Sequence, residues 1–207
     1  RKTQMITLTL PDGSTRDVEA PVTGSEFAAS ISNSLAKNAL ALKVDGVVVD
    51  LATEIDRNCA LAVITADDDE GVELLRHDCA HVMAQAVQEL FPGTQVTIGP
   101  VIEDGFFYDF ARETPFGLDD LETIEKRMRE IVERNEPIVR EVWDRAEAIA
   151  HFREIGEIYK AEIIEDIPGE EAITVYRQGD WKDLCRGPHL PSTGKLGKAF
   201  RLTKLAG

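Results

Sequence analysis

The chain opens with alternating apolar and polar positions. Ile6, Leu8 and Leu10 share one face of a strand over residues 4 to 10, Pro11-Asp12-Gly13-Ser14 supplies turn chemistry, and Thr15 to Glu19 returns as the second arm of a hairpin. The period then changes. Phe27, Ile31 and Leu35 recur at i, i+4 and i+8 behind Thr23 or Ser25, either of which can cap one helix. Short strands follow at Ala41 to Val44 and Val47 to Val49 around an Asp45-Gly46 turn, and Ala60 to Thr65 closes the set. This order predicts a small β-grasp unit, one sheet packed on one helix. It holds no reactive constellation and reads as a binding or docking module.

Ala66-Asp67-Asp68-Asp69-Glu70-Gly71 is acidic and free of large apolar side chains, which places a domain boundary there, between a first domain over residues 1–66 and a second over 72–207. The same acids favour the N-terminal dipole of a helix from Val72 to Leu90, which stops at Phe91-Pro92-Gly93. At about 100° per residue, Leu75, Cys79, Val82, Ala86 and Leu90 form its core stripe. His77 and His81 fall on roughly the opposite side, with Ala84 and Gln88 as neighbours.

Further on, Gln95 to Ile98 and Phe106 to Phe110 read as strands around the Glu103-Asp104-Gly105 turn. Asp119 with Glu122 resembles a capping box for a helix bearing Leu121, Ile124, Met128 and Ile131, which ends before Pro137. A strand at Ile138 to Trp143 precedes a helix opened by Asp144 and closed by Gly156. Strands at Ile173 to Arg177 and Trp181 to Cys185, a Gly/Pro-rich loop and a last strand at Lys198 to Leu205 complete the pattern. The predicted class is α+β: a small ubiquitin-like β-grasp domain, then a larger domain with helices packed on a mostly antiparallel sheet.

Composition narrows the function classes. The formal net charge is -15, so general electrostatic affinity for nucleic acid or anionic membrane is not expected and any RNA contact is local. From Arg177 to the end the balance reverses, with seven basic side chains against Asp180 and Asp183. Three widely separated cysteines, Cys59, Cys79 and Cys185, argue against a disulfide framework and for a reducing, cytosolic compartment. No apolar run approaches the roughly 20 residues of a membrane span, and Arg1-Lys2-Thr3-Gln4 lacks the apolar core of a signal peptide.

The chemistry centres on His77-Asp78-Cys79-Ala80-His81. Histidines four apart on a helix can converge on one ligand. Alone the pentad is equally compatible with two solvated histidines on an outer face. Asp183-Leu184-Cys185-Arg186-Gly187-Pro188-His189 offers it a partner, and His77, His81, Cys185 and His189 together suit a tetrahedral zinc ion. The spacing is not that of a zinc finger, and Asp78 replaces the glutamate that serves as general base in HExxH. A metal-dependent hydrolase of a small ester or amide and a non-catalytic RNA- or nucleotide-binding module both remain open on these residues.

Three runs carry a family resemblance: Arg76 to His81, Ile98 to Asp109 (IGPVIEDGFFYD) and Asp183 to His189 (DLCRGPH). They resemble the editing domain of bacterial-type threonyl-tRNA synthetases, and the first 65 residues resemble the TGS domain that begins those enzymes. The resemblance covers nearly the whole chain in the right order. It implies that the class II catalytic core and the anticodon-binding domain follow beyond Leu205-Ala206-Gly207, and that this stretch proofreads by hydrolysing serine wrongly esterified to the 3′ end of threonine tRNA.

By the same resemblance His77 lies near the terminal ribose and Lys160 holds water or stabilises charge. Asp183 positions that water or recognises the substrate amino group, and His81, Cys185 and His189 complete the pocket. Tyr108, Gly99 and Arg186 are the implied substrate contacts. No metal or other cofactor is required on this reading, although zinc on His77, His81, Cys185 and His189 is chemically allowed.

Overall fold

The computed structural model describes residues 4–206; Arg1-Lys2-Thr3, in the start considered above for a signal peptide, and the closing Gly207 lie outside the described residues. The chain forms two compact units. One comprises the residues up to Leu75 with Gly187–Pro191, and the other comprises Arg76–Arg186 with the residues from Ser192 onward.

In the first unit β1 (Gln4–Thr9) and β2 (Thr15–Ala20) form the expected hairpin. The short β3 (Val22–Thr23) leads into α1 (Gly24–Ile31), where the Thr23 hydroxyl accepts from Glu26 N and the Glu26 carboxylate accepts from Thr23 N at 2.8 Å, a reciprocal capping box. The single helix expected over this region is two. Ser32 is extended, and its hydroxyl accepts from Leu35 N at 3.0 Å to cap a second helix, α2 (Asn33–Asn38). A serine side chain competes for backbone N–H groups, so it starts a new helix where the apolar periodicity alone runs straight through.

The strands β4 (Ala41–Val44), β5 (Val47–Asp50), β6 (Glu54–Ile55) and β7 (Cys59–Ile64) finish the unit. The sheet order is β2-β1-β7-β4-β5, with β1 parallel to β7 and the remaining pairs antiparallel, and β3 pairs separately with β6. Ile6, Leu8, Leu42 and Leu61 pack against Phe27 and Ala28 of α1, which is the β-grasp core. Ahead of the next helix, Asp68 accepts from Thr65 N at 2.8 Å.

That helix, α3 (Asp69–Leu90), begins inside the acidic run, so the acids form its first turn. Its composition leaves no solvated face along most of the second unit: every residue from Asp78 to Val87 is buried. The expected outer face is therefore a second packed face. The Leu75-to-Leu90 stripe supplies Cys79, Val82 and Ala86 to a core shared with Ile124, Met128 and Ile131.

The segment after α3 is more broken than expected. β8 (Gln95–Val96) pairs with β11 (Phe110–Ala111), while β9 (Val101–Ile102) and β10 (Gly105–Phe106) form their own tight hairpin. Arg76 Nη1 donates to Glu103 O at 2.7 Å and ties that hairpin to α3. The helix α4 (Leu118–Arg134) starts two residues earlier than the Asp119-Glu122 pattern suggests, because Asp120 accepts from Gly117 N at 2.7 Å. It ends at Asn135, in the left-handed region at φ 48°.

β12 (Ile138–Trp143), α5 (Arg145–Glu154), α6 (Ile158–Asp166), β13 (Ile173–Gln178) and β14 (Trp181–Leu184) then build a three-stranded antiparallel sheet, β12-β13-β14. Asp144 caps α5 as predicted, through Ala146 N and Glu147 N. Because successive strand side chains alternate faces, Ile173 and Val175 pack with Phe152, Ala161 and Ile164, whereas Gln178 reaches the other way and donates to Gln85 of α3 at 2.9 Å. No strand forms at Lys198 to Leu205. After a single 3-10 turn at Thr193–Leu196 the chain continues without regular secondary structure, held by bonds such as Leu202 N to Glu125 Oε2 at 2.9 Å.

Candidate functional site

Three elements of the second unit converge on one carboxylate. Asp183 lies on β14 opposite Tyr176 of β13 and is almost fully buried, with 2% of its side chain exposed. Lys160 reaches it from α6, His81 from α3, and Tyr108 from the segment between β10 and β11. Lys160 Nζ is 2.8 Å from Oδ1, His81 Nδ1 is 3.0 Å from Oδ2, and the Tyr108 hydroxyl donates to Oδ2 at 2.9 Å. Lys160 also donates to the Tyr108 hydroxyl at 3.2 Å. A buried acid with no partner favours its neutral form. Burial pushes the Asp183 pKa up, but the Lys160 ammonium and His81 outweigh it and hold the carboxyl well below the usual carboxylate range. Tyr108 moves the opposite way: burial first, then the Asp183 charge, push its phenol far above the usual value, so it stays a donor.

Two further candidates stand beside this network. The His77 and His81 rings meet edge to face with centroids 4.7 Å apart, and His77 Nε2 lies 3.3 Å from Cys185 Sγ. Cys185 is fixed just past the end of β14, where its N–H donates to Thr174 O at 3.2 Å and its carbonyl accepts from Thr174 Oγ1 at 2.5 Å. The nitrogens and sulfur of His77, His81 and Cys185 lie within 4.8 Å of one another. Two imidazoles and a thiol are a donor set that fits zinc chemically. Cys79, two residues before His81, is different: burial pushes its thiol up to about 12, so it stays protonated and inert near neutral pH.

The remaining candidates distribute unevenly. Gly99 backs the Tyr108 ring so closely that a Cβ on it would meet Tyr108 Cδ2 at 2.3 Å, so its part is to seat the tyrosine. Arg186 is exposed and pairs with Glu171 at 2.6 Å, outside the network. His189 belongs to Gly187–Pro191, which packs with the first unit; it is buried there, and its N–H donates to Asp50 Oδ1 at 2.8 Å.

Sequence reasoning missed α6, the element that carries Lys160, and with it Glu157 and Gln88. Glu157 is buried, accepts from Val96 N at 3.0 Å and from the Gln88 side-chain amide, and burial pushes its pKa up. Gln88 accepts from Trp181 Nε1 at 2.6 Å. Together with Lys160 and Asp183 these residues line a cavity of about 250 Å³. The available signal was position: Gln88 is two turns after His81, on the same helix face.

Comparison with known proteins gives this site its context. Residues 6–65 match the TGS domain, and residues 173–207 match the threonyl and alanyl tRNA synthetase second additional domain. Over 98% of its length the chain is 66% identical to a threonine–tRNA ligase of Parvibaculum lavamentivorans and 64% identical to those of Phenylobacterium zucineum and Rhodospirillum rubrum. It spans about a third of the length of these relatives, 31–32%. Among the described residues no helix is long and apolar enough to cross a membrane.

Proposed function

Starting from the premise that this chain corresponds to the N-terminal part of bacterial threonine–tRNA ligases, we propose that its second unit is the proofreading site, a hydrolase for serine esterified to the 3′ end of threonine tRNA. The observation that carries this reading is the buried Lys160–Asp183 pair with His81 and Tyr108 on the same carboxylate, beside a half-buried His77. A cation held in a dry, fixed network is suited to stabilising charge that develops during reaction.

Hydrolysis of the seryl ester needs a water delivered to the carbonyl carbon, support for the developing oxyanion, and a proton for the departing ribose oxygen. Asp183 holds Lys160 aimed through their 2.8 Å contact. Lys160 orients the water and steadies the negative charge, and Tyr108 braces both. His77 stands outside the Asp183 bonds and exchanges the proton with the terminal ribose. As the bond between the carbonyl carbon and the ribose oxygen breaks, water's hydroxyl passes to serine and its proton to the ribose.

A separate site is needed because serine differs from threonine by one methyl, worth only about 1–3 kcal/mol in a binding pocket. A pocket that refuses the methyl by size reverses the preference. No metal is required by this scheme. Zinc would be held in this unit by His77, His81 and Cys185, where it would act as a Lewis acid.

Incubation of the chain with seryl- and threonyl-tRNA tests the reading. Selective loss of the seryl ester is expected; equal hydrolysis of both, or of neither, overturns it. The basic stretch toward the C-terminus predicts salt-sensitive binding of the tRNA partner.

A further inference from the structure

Lys160 sits in the first turn of α6, and something must fix where that turn begins. The residue before the helix, Glu157, makes no side-chain bond to its own helix. It reaches outward instead. Its Oε2 accepts from Val96 N of β8 at 3.0 Å and its Oε1 accepts from the side-chain amide of Gln88 on α3. That amide also donates to Thr94 O at 3.0 Å, and the Gln88 oxygen accepts from Trp181 Nε1 of β14 at 2.6 Å. The next residue continues the pattern: Ile158 N, a first-turn donor with no intrahelical acceptor, donates to Gln95 Oε1 at 3.1 Å. A carboxylate buried to 6% exposure is costly unless its bonds are made, so the helix start is held by β8 and α3 directly and by β14 through Gln88.

We propose that Glu157, acting through Gln88, Val96 and Trp181, is a positioning residue that sets the start of α6 and so aims Lys160 at Asp183. This assignment rests on the hydrolytic reading only for its kinetic consequence. A rotation of the first turn displaces Nζ from the 2.8 Å contact with Asp183 Oδ1, while the hydrophobic side of α6, Ala161 and Ile164, stays seated in its own core. Glu157→Gln breaks the arrangement chemically, because its amide end faces a donor, either Val96 N–H or the Gln88 amide.

The test reads Lys160 directly. Competitive acylation with acetic anhydride, followed by mass spectrometry of the Lys160 peptide, reports how tightly its amine is held. Glu157→Gln is expected to raise Lys160 labelling, relative to the other lysines, by at least about threefold through local opening. Hydrolysis of seryl-tRNA should lose roughly tenfold to a hundredfold in kcat with KM little changed, as a misplaced catalytic group predicts. Gln95→Ala, which frees only Ile158 N–H, should shift both readouts in the same direction by less. Lys160 labelled at the parent rate in both variants, or an unchanged kcat in Glu157→Gln, overturns the proposal. If Glu157→Gln fails to fold, Gln95→Ala decides alone. An unaltered chain without esterase activity defeats the proposed function and leaves the labelling result to judge Glu157.

Discussion

Lys160 Nζ lies 2.8 Å from Asp183 Oδ1, with 5% and 2% of the two side chains exposed. Removing one partner of such a buried pair strands the other charge. Asp183→Asn is therefore expected to cost on the order of 3–5 kcal/mol of stability and to abolish ester hydrolysis. Urea denaturation and single-turnover hydrolysis check the two parts; a variant as stable as the parent would contradict this account of the network.

The same pair has a pH signature. The Asp183 pKa is lower folded than unfolded, so its contribution is fully present above the unfolded value of about 3.9 and is lost as pH falls through the folded value below it. Acid titration of stability should be steeper for the parent than for Asp183→Asn below about pH 4, followed by circular dichroism.

Gly99→Ala introduces a Cβ 2.3 Å from the Tyr108 ring. The ring must move, taking its hydroxyl from Asp183. Overpacking of this kind costs about 1–3 kcal/mol, and hydrolysis should fall with it. Thermal unfolding and the ring chemical shifts of Tyr108 measure both.

Chelation separates the two chemistries that His77, His81 and Cys185 allow. Hydrolysis of seryl-tRNA is expected to survive exhaustive chelation. One tightly held zinc, whose removal abolishes turnover and whose return restores it, would place the metal at the centre of the reaction.

In the first unit, Ser32→Ala removes the cap on α2, where the hydroxyl accepts from Leu35 N at 3.0 Å. A loss of about 1 kcal/mol is expected, read from the urea midpoint of the chain.

The two histidines of the pentad show what each level decided. Their spacing put them on one face of a helix, and apolar alternation in residues 4–20 and 41–64 was enough for the β-grasp order, because those signals are local: a period of 3.6 or 2, a cap, a turn. The residue runs around His77, Tyr108 and Asp183 singled out side chains before any coordinates, and the fold brings Tyr108 onto Asp183 and His77 beside His81. What the face of α3 packs against is a nonlocal matter. Periodicity assigned that helix one buried stripe, yet it is enclosed on all sides from Asp78 to Val87, because the sheet of β12, β13 and β14 and the helix α4 both use it.

The break at Ser32 and the absence of a strand at Lys198 to Leu205 were settled by competition between side-chain and backbone bonds, which a pattern of apolar residues does not register. Lys160 and Glu157 carry no sequence signal of burial at all. They are ordinary surface residue types, and only the fold, by bringing α6, β8 and β14 against α3, supplies the acceptors that make burying their charges possible. The sequence alone thus determined which residues have the chemistry and which elements carry them. The tertiary structure decided that one carboxylate, Asp183, gathers Lys160, His81 and Tyr108, because partners about 20 to 100 residues apart in the chain meet only when the elements pack.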